Sequence, residues 1–219
     1  MSAAVPLDRR RRRRQETIEQ VLVVAVDVMA EQGVAGLTLG EVARRMGIQP
    51  PSLYGYFDGK HALYDALFER GWRLLNHDVG AILDGVDDLP PAARLHAVSA
   101  AFTRWMVEHP AYAPLMMWRP VPGFTPSAAA YVPAVEAQVF GRALIERVRD
   151  EGLLRPDLDV DHAYAAWTAL VSGVVSQQLA NEPSATFETG RFTATLADLT
   201  DMWITHHLAR SRPRQEDLR

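Results

Sequence analysis

The run from Leu37 to Lys60 gathers hydrogen-bonding and charged side chains into a short space. It holds hydroxyls at Thr38, Ser52, Tyr54 and Tyr56, an amide at Gln49, and the chain's only lysine, Lys60. This is a set suited to binding an anion or a base edge. Lys60 falls in the first turn of an expected helix, where the helix dipole and free backbone N–H groups also favour a phosphate.

The same run encodes the elements that must position these groups. Thr38 is an expected N-cap and Glu41 follows three residues later, the spacing of a capping box in which each side chain answers the other's backbone N–H. Leu37 and Val42 fit a hydrophobic staple. Gly47 supplies the positive φ that ends the first helix, Pro50 suits the first turn of the next, and Asp58 is the expected cap of a third. Ala43, Ile48 and Leu53 lie at i, i+5 and i+10. The small Ala43 lets two helices cross closely, and Ile48 and Leu53 fill the angle between them. This is the packing of a helix-turn-helix, whose second helix enters the DNA major groove. A plain αα-hairpin in a bundle core is the alternative.

Catalytic and metal-binding patterns are missing. The seven histidines form no H-x-x-x-H pair, and no glycine-rich nucleotide loop or G-x-S-x-G elbow occurs. Asp87-Asp88 reads as a solvated linker. The chain is expected not to be an enzyme and to need no cofactor and no metal. With no cysteine, disulfides, thiolate zinc sites and cysteine nucleophiles are excluded. No apolar run approaches a membrane span and no apolar h-region follows the basic start, so a cytoplasmic protein without membrane association is expected.

The net charge of −4 does not point to nucleic acid, but its distribution does. The first 60 residues carry nine basic and seven acidic residues, and the remainder 14 and 20. Six consecutive arginines, Arg9 to Arg14, repel one another. They read as a disordered arm at 1–14 that lies along DNA with arginine in the minor groove, or as a solvated tail.

The rest of the chain reads as helices. Ile18, Val21, Leu22, Ala25, Val28 and Met29 share one face of a helix from Gln15 to Gln32. A long helix spans Gly59 to Leu83, a linker Asp84 to Pro91, and a further helix Ala92 to His109. Residues 110–126 contain five prolines among Tyr112, Leu115, Met116, Met117, Trp118 and Phe124. This adaptable apolar stretch is either a packing loop or the wall of a ligand pocket, with Trp105, Met106 and His109 beside it. A helix from Ser127 to Glu151 carries Val135, Val139, Leu144 and Val148, and Asp159 caps the next, Val160 to Asn181. That helix is apolar on two sides and needs two partners. The last helix, Phe187 to Leu208, aligns Phe192, Leu196, Leu199 and Trp203. Pairing these last two helices with their copies gives a four-helix dimer interface. The fold expected is all-α in two domains: a helix-turn-helix at 15–60 and a helical body at 61–210, with a disordered tail at 211–219.

Leu37-Thr38, Val42-Ala43, Gly47-Ile48, Ser52-Leu53-Tyr54, Tyr56-Phe57 and Lys60 followed by Ala62-Leu63 resemble, in order, the DNA-binding domain of the tetracycline-repressor (TetR) family. The resemblance implies phosphate contacts from Thr38, Tyr54, Tyr56 and Lys60, and places Gln49, Pro50, Ser52 and Gly55 near base edges. The segment Trp167 to Gln178 also looks like its counterpart in such regulators, which adds Trp167 and Gln177 to the candidate ligand pocket. What the family implies is a homodimeric repressor, released from a double-stranded DNA operator by a small apolar or amphipathic ligand. The sequence departs from the pattern at Gln49, where a capping Ser or Thr is common, and at Gly55, where a larger side chain is common. Pro50 and Pro51 offer no N–H, so operator preference is expected to rest partly on DNA shape. A regulator without an inducer, or an all-α enzyme or binding protein with a fortuitous helix-turn-helix, are the alternatives.

Overall fold

The computed structural model describes residues 5–83 and 85–209, with side chains from residue 9 onward. The expected tail at 211–219 and the first four residues of the expected arm lie outside them. Among the described residues the regular structure is helical, apart from one isolated antiparallel bridge between Leu154 and Leu208.

Helix α1 spans Val5–Gln32 and buries Val21, Leu22, Ala25, Val28 and Met29 along the expected face. It begins ten residues before the expected Gln15, so residues 5–14 are helix here. Arginine is a good helix former, and Arg12 pairs with Glu16 one turn on at 3.4 Å. Helix α2 spans Leu39–Met46. The segment expected to be the second helix of the motif is a 3-10 turn, Pro50–Gly55. Two prolines at its start donate no backbone bond, and Gly55 weakens its end. The first bond available is Ser52 N–H to the Gln49 carbonyl at 2.9 Å, the i to i+3 closure of a 3-10 helix.

Helix α3 spans Lys60–Ile82 and α4 spans Pro91–Glu108. Gly59, at φ 137°, takes the cap position expected of Asp58, and its carbonyl accepts the Leu63 N–H at 3.2 Å. The short α5, Ala113–Met117, lies within the proline-broken stretch. Helix α6 spans Ala128–Asp150 and encloses Pro133. Leu144 and Val148 on it are buried, whereas Val135 and Val139, about half a turn round the helix, are exposed. Helix α7 spans Val160–Asn181, and the Asp159 carboxylate accepts the His162 N–H at 3.1 Å, as the expected cap. Helix α8 spans only Leu196–His207. The residues from Phe187 that were expected to begin it form turns instead.

Those turns follow from a buried amide. Gln178 is fully buried, and its side-chain oxygen accepts the N–H groups of Phe192 and Thr193 at 3.2 and 3.3 Å. Its nitrogen donates to the Glu182 carbonyl at 3.0 Å. A Cβ at Gly190 would stand 2.3 Å from the Gln178 oxygen, so glycine is required there and the chain folds tightly around the amide.

The chain divides into two compact units, Met1–Leu74 with His109–Ala134, and Leu75–Glu108 with Val135–Arg219. The proline-broken stretch, expected in the body, thus packs in the first unit. There the Phe124 ring lies tilted against Tyr64 with centroids 5.5 Å apart, and a Cβ at Gly71 would meet Met116 and Tyr112 at 2.7 and 2.8 Å. In the second unit Trp167 donates to Ser99 at 2.8 Å, and Trp203 donates to the Ala163 carbonyl at 3.1 Å. These bonds knit α4, α7 and α8 into one core.

Candidate nucleic-acid interface

The motif is built from local geometry. Thr38 Oγ1 accepts the Glu41 N–H at 3.1 Å, and Leu37, Leu39, Val42 and Ala43 are buried around it. Only this half of the expected capping box forms. The Glu41 carboxylate takes three bonds of 2.7–2.8 Å from Arg44 and Arg45 instead of reaching back to Thr38. Charge-assisted bonds to guanidinium are stronger than one to a neutral N–H. Hydrogen bonds from Arg44 and then Arg45 hold the Glu41 carboxyl down at about 2. Arg45 also reaches Glu31 of α1 at 2.6 Å, which ties α2 to the scaffold helix.

Gly47 adopts φ 69° and ψ 27°, and the Ile48 N–H bonds to the Ala43 carbonyl at 3.0 Å. This is the Schellman closure that the left-handed residue permits. The chain then enters the 3-10 turn with Leu53 fully buried as its anchor. One buried leucine in a six-residue turn leaves the other side chains outward. Gln49, Pro50, Ser52, Tyr54 and Gly55 are all exposed, Tyr54 at 58%. Gln49 makes no cap bond. Tyr56 is half-buried beneath the Arg14 guanidinium, 5.3 Å from its ring centroid. Thr38 is exposed, and with its oxygen accepting from Glu41 its O–H remains a donor. Lys60 points inward, donating to the Ala35 carbonyl at 3.0 Å and lying 5.3 Å from the Tyr64 ring centroid. Tyr64 is fully buried and its hydroxyl is pushed up to about 12 by that burial.

Two further cationic side chains lie at the turn. Arg14 donates to the Gly55 carbonyl at 3.3 Å, and Arg44 presents a guanidinium that is 70% exposed beside the turn. The run Arg9–Arg14 carried the signal for Arg14, but only a helical register shows which arginine meets the turn.

The candidate ligand residues are divided. Met116 and Phe124 are buried, and His109 and Met117 half-buried, in the first unit, where Trp118 is 39% exposed. Trp105, Met106 and Trp167 are buried in the second unit, Trp105 donating to Asp78 at 3.0 Å. Gln177 is exposed on α7 and accepts from Asn181 at 3.1 Å. Trp118 and Gln177 thus do not line an interior here. Among the described residues no group of three or more His, Cys, Asp or Glu is placed to hold a metal, and no helix is long and apolar enough to cross a membrane.

A capped helix, a left-handed turn and an outward-facing recognition segment define a helix-turn-helix protein. Residues 21–67 match the family of bacterial regulatory proteins of the tetR type. The chain is 49% identical over 49 residues to the tetracycline repressor protein class A from transposon 1721 of Escherichia coli, covering 22% of this chain and 23% of that one. Residues 21–67 thus form a domain of the tetR type. The chain matches only about a quarter of the length of these relatives in sequence. The fold likeness extends further. A protein of unknown function from Rhodococcus sp. RHA1 aligns with a TM-score of 0.72 at 19% identity, over 88% of this chain and 95% of that one. The regulator FadR from Bacillus subtilis, solved in complex with stearoyl-CoA, aligns with a TM-score of 0.63 at 14% identity, over 85% and 97%.

Proposed function

We propose that this chain is a DNA-binding transcriptional regulator, a homodimeric repressor that acts in the cytoplasm and leaves its operator when a small apolar or amphipathic ligand binds. The observation that carries the DNA reading is the recognition turn. A single buried leucine anchors it, while Ser52, Tyr54 and Gly55 project outward next to a Thr38 hydroxyl free to donate. Thr38, Tyr54, Tyr56 and Lys60 take the phosphates, with Lys60 turning from the Ala35 carbonyl to do so. Gln49, Pro50, Ser52 and Gly55 lie against base edges. Two such turns, about 34–36 Å apart in a dimer, meet a two-fold-related operator.

Dimerisation through α7 and α8 is supported by their outward residues. Ala165, Ala169 and Gly173 make an exposed stripe on α7 that lets another helix approach closely, and Met202 on α8 is 66% exposed. Ligand control is supported by the aromatic cluster of Tyr164, Trp167 and Trp203 in the second unit, and by a protein of the same fold solved with stearoyl-CoA. By linkage, a ligand that weakens DNA binding must itself be weakened by DNA to the same extent.

Point variants test the assignment. Tyr54→Phe and Lys60→Ala are expected to weaken binding to every duplex alike, whereas Ser52→Ala shifts preference between sequences. A Lys60→Ala protein with altered preference and unchanged overall affinity would contradict it.

A further inference from the structure

We infer that the arginine-rich start of α1 is a second phosphate-binding surface, continuous with the recognition turn and presented by Arg10 and Arg11 beside Arg14. The inference rests on the DNA reading above. Arg14 fixes the direction: it donates to the Gly55 carbonyl at 3.3 Å and covers the Tyr56 ring. With about 100° per residue, Arg10 and Arg11 fall roughly 40° and 60° from Arg14 around the helix. Arg9, Arg12 and Arg13 fall about 100° or more away. Thus six adjacent arginines divide into a face on the recognition side and a face turned from it.

The charges around them sharpen that division. The acidic residues that follow, Glu16 and Glu19, lie roughly 160° and 140° from Arg14. They bind Arg12 at 3.4 Å and Arg70 at 2.7 Å. Arg10 and Arg11 are exposed, and neither pairs with an acidic residue among the described side chains. Arg10 and Arg14 are about 6 Å apart along the axis, close to the axial rise of two phosphate steps of one DNA strand. The arginine stretch has no apolar side, which a membrane-surface helix would need, so a nucleic acid duplex is the fitting polyanion.

Two charge-matched double variants of the full chain decide the matter. R10Q/R11Q and R9Q/R13Q each remove the same charge, and neither touches Arg14. Binding to a mixed-sequence DNA duplex is measured across salt, after far-ultraviolet circular dichroism shows equal helicity. R10Q/R11Q is expected to flatten the slope of log K against log salt by about 1.8 and to bind roughly 30-fold more weakly at 0.15 M. R9Q/R13Q keeps the slope and loses less than about 3-fold, because unbound charges at that distance are screened. Equal losses in the two variants, or none in either, would overturn the surface while leaving the DNA reading intact. An unaltered protein without salt-dependent DNA binding would overturn the DNA reading first, and this surface with it.

Discussion

The two units of the molecule handle their polar groups in opposite ways. In the first, the groups that matter sit at the surface on a backbone held by short-range devices: a threonine cap, a left-handed glycine and one buried leucine. In the second, they are buried and satisfied by partners far away in sequence, as with Gln178 and the 190–193 turn or Trp167 and Ser99. A surface built by local devices keeps its side chains free for a ligand. A core built on buried polar bonds ties α4, α7, α8 and the 190–193 turn together.

The largest effect that would sharpen this contrast is expected at Gln178. Gln178→Leu leaves the Phe192 and Thr193 N–H groups without their acceptor, and should cost about 3 kcal/mol or more, read from urea unfolding. Gly190→Ala drives a methyl against the same amide and should cost roughly 1–3 kcal/mol. Thr38→Ala removes one cap bond and should cost only about 1 kcal/mol. Equal losses at Gln178 and Thr38 would break the contrast.

Acid should separate the units as well. Burial, and then the charges of His206, Arg155 and His162, push the His207 imidazole below its ordinary 6.5. The ring is 2% exposed and its Nδ1 has no partner. The folded chain resists a proton that the unfolded chain accepts, so this ring weakens the fold as pH falls below 6.5. The Glu41 carboxyl acts in the same direction over a lower range: its pairing contributes fully above 4.5 and is lost as pH falls through about 2. Between those ranges the second unit weakens first. His207→Phe is expected to reduce the drop in urea midpoint between about pH 7.5 and 5.5, whereas Glu41→Gln leaves that drop unchanged. An unaltered drop in His207→Phe would remove the imidazole from the account.

The same contrast explains what the sequence revealed. Thr38, Gly47 and Asp159 were legible because a cap or a left-handed turn is decided within a few residues. The 3-10 form of Pro50–Gly55 was not, since the sequence pattern of a helix survives when two prolines remove its early bonds. Arg44 and Arg45 drew Glu41 away from the capping box through a competition that spacing alone does not rank. The turns after Asn181 were hidden because Gln178 and Gly190 meet only in the folded chain. Residues 5–14 looked like a self-repelling arm until helix formation and the Arg12–Glu16 pair gave them faces.

Binding of the purified protein to the duplex upstream of its own coding sequence, against mixed-sequence duplex at two salt concentrations, tests the central claim most directly. Tight, selective binding that weakens steeply as salt rises is the predicted result, because several phosphate contacts each release counterions. Absence of binding even at low salt would contradict the regulator reading.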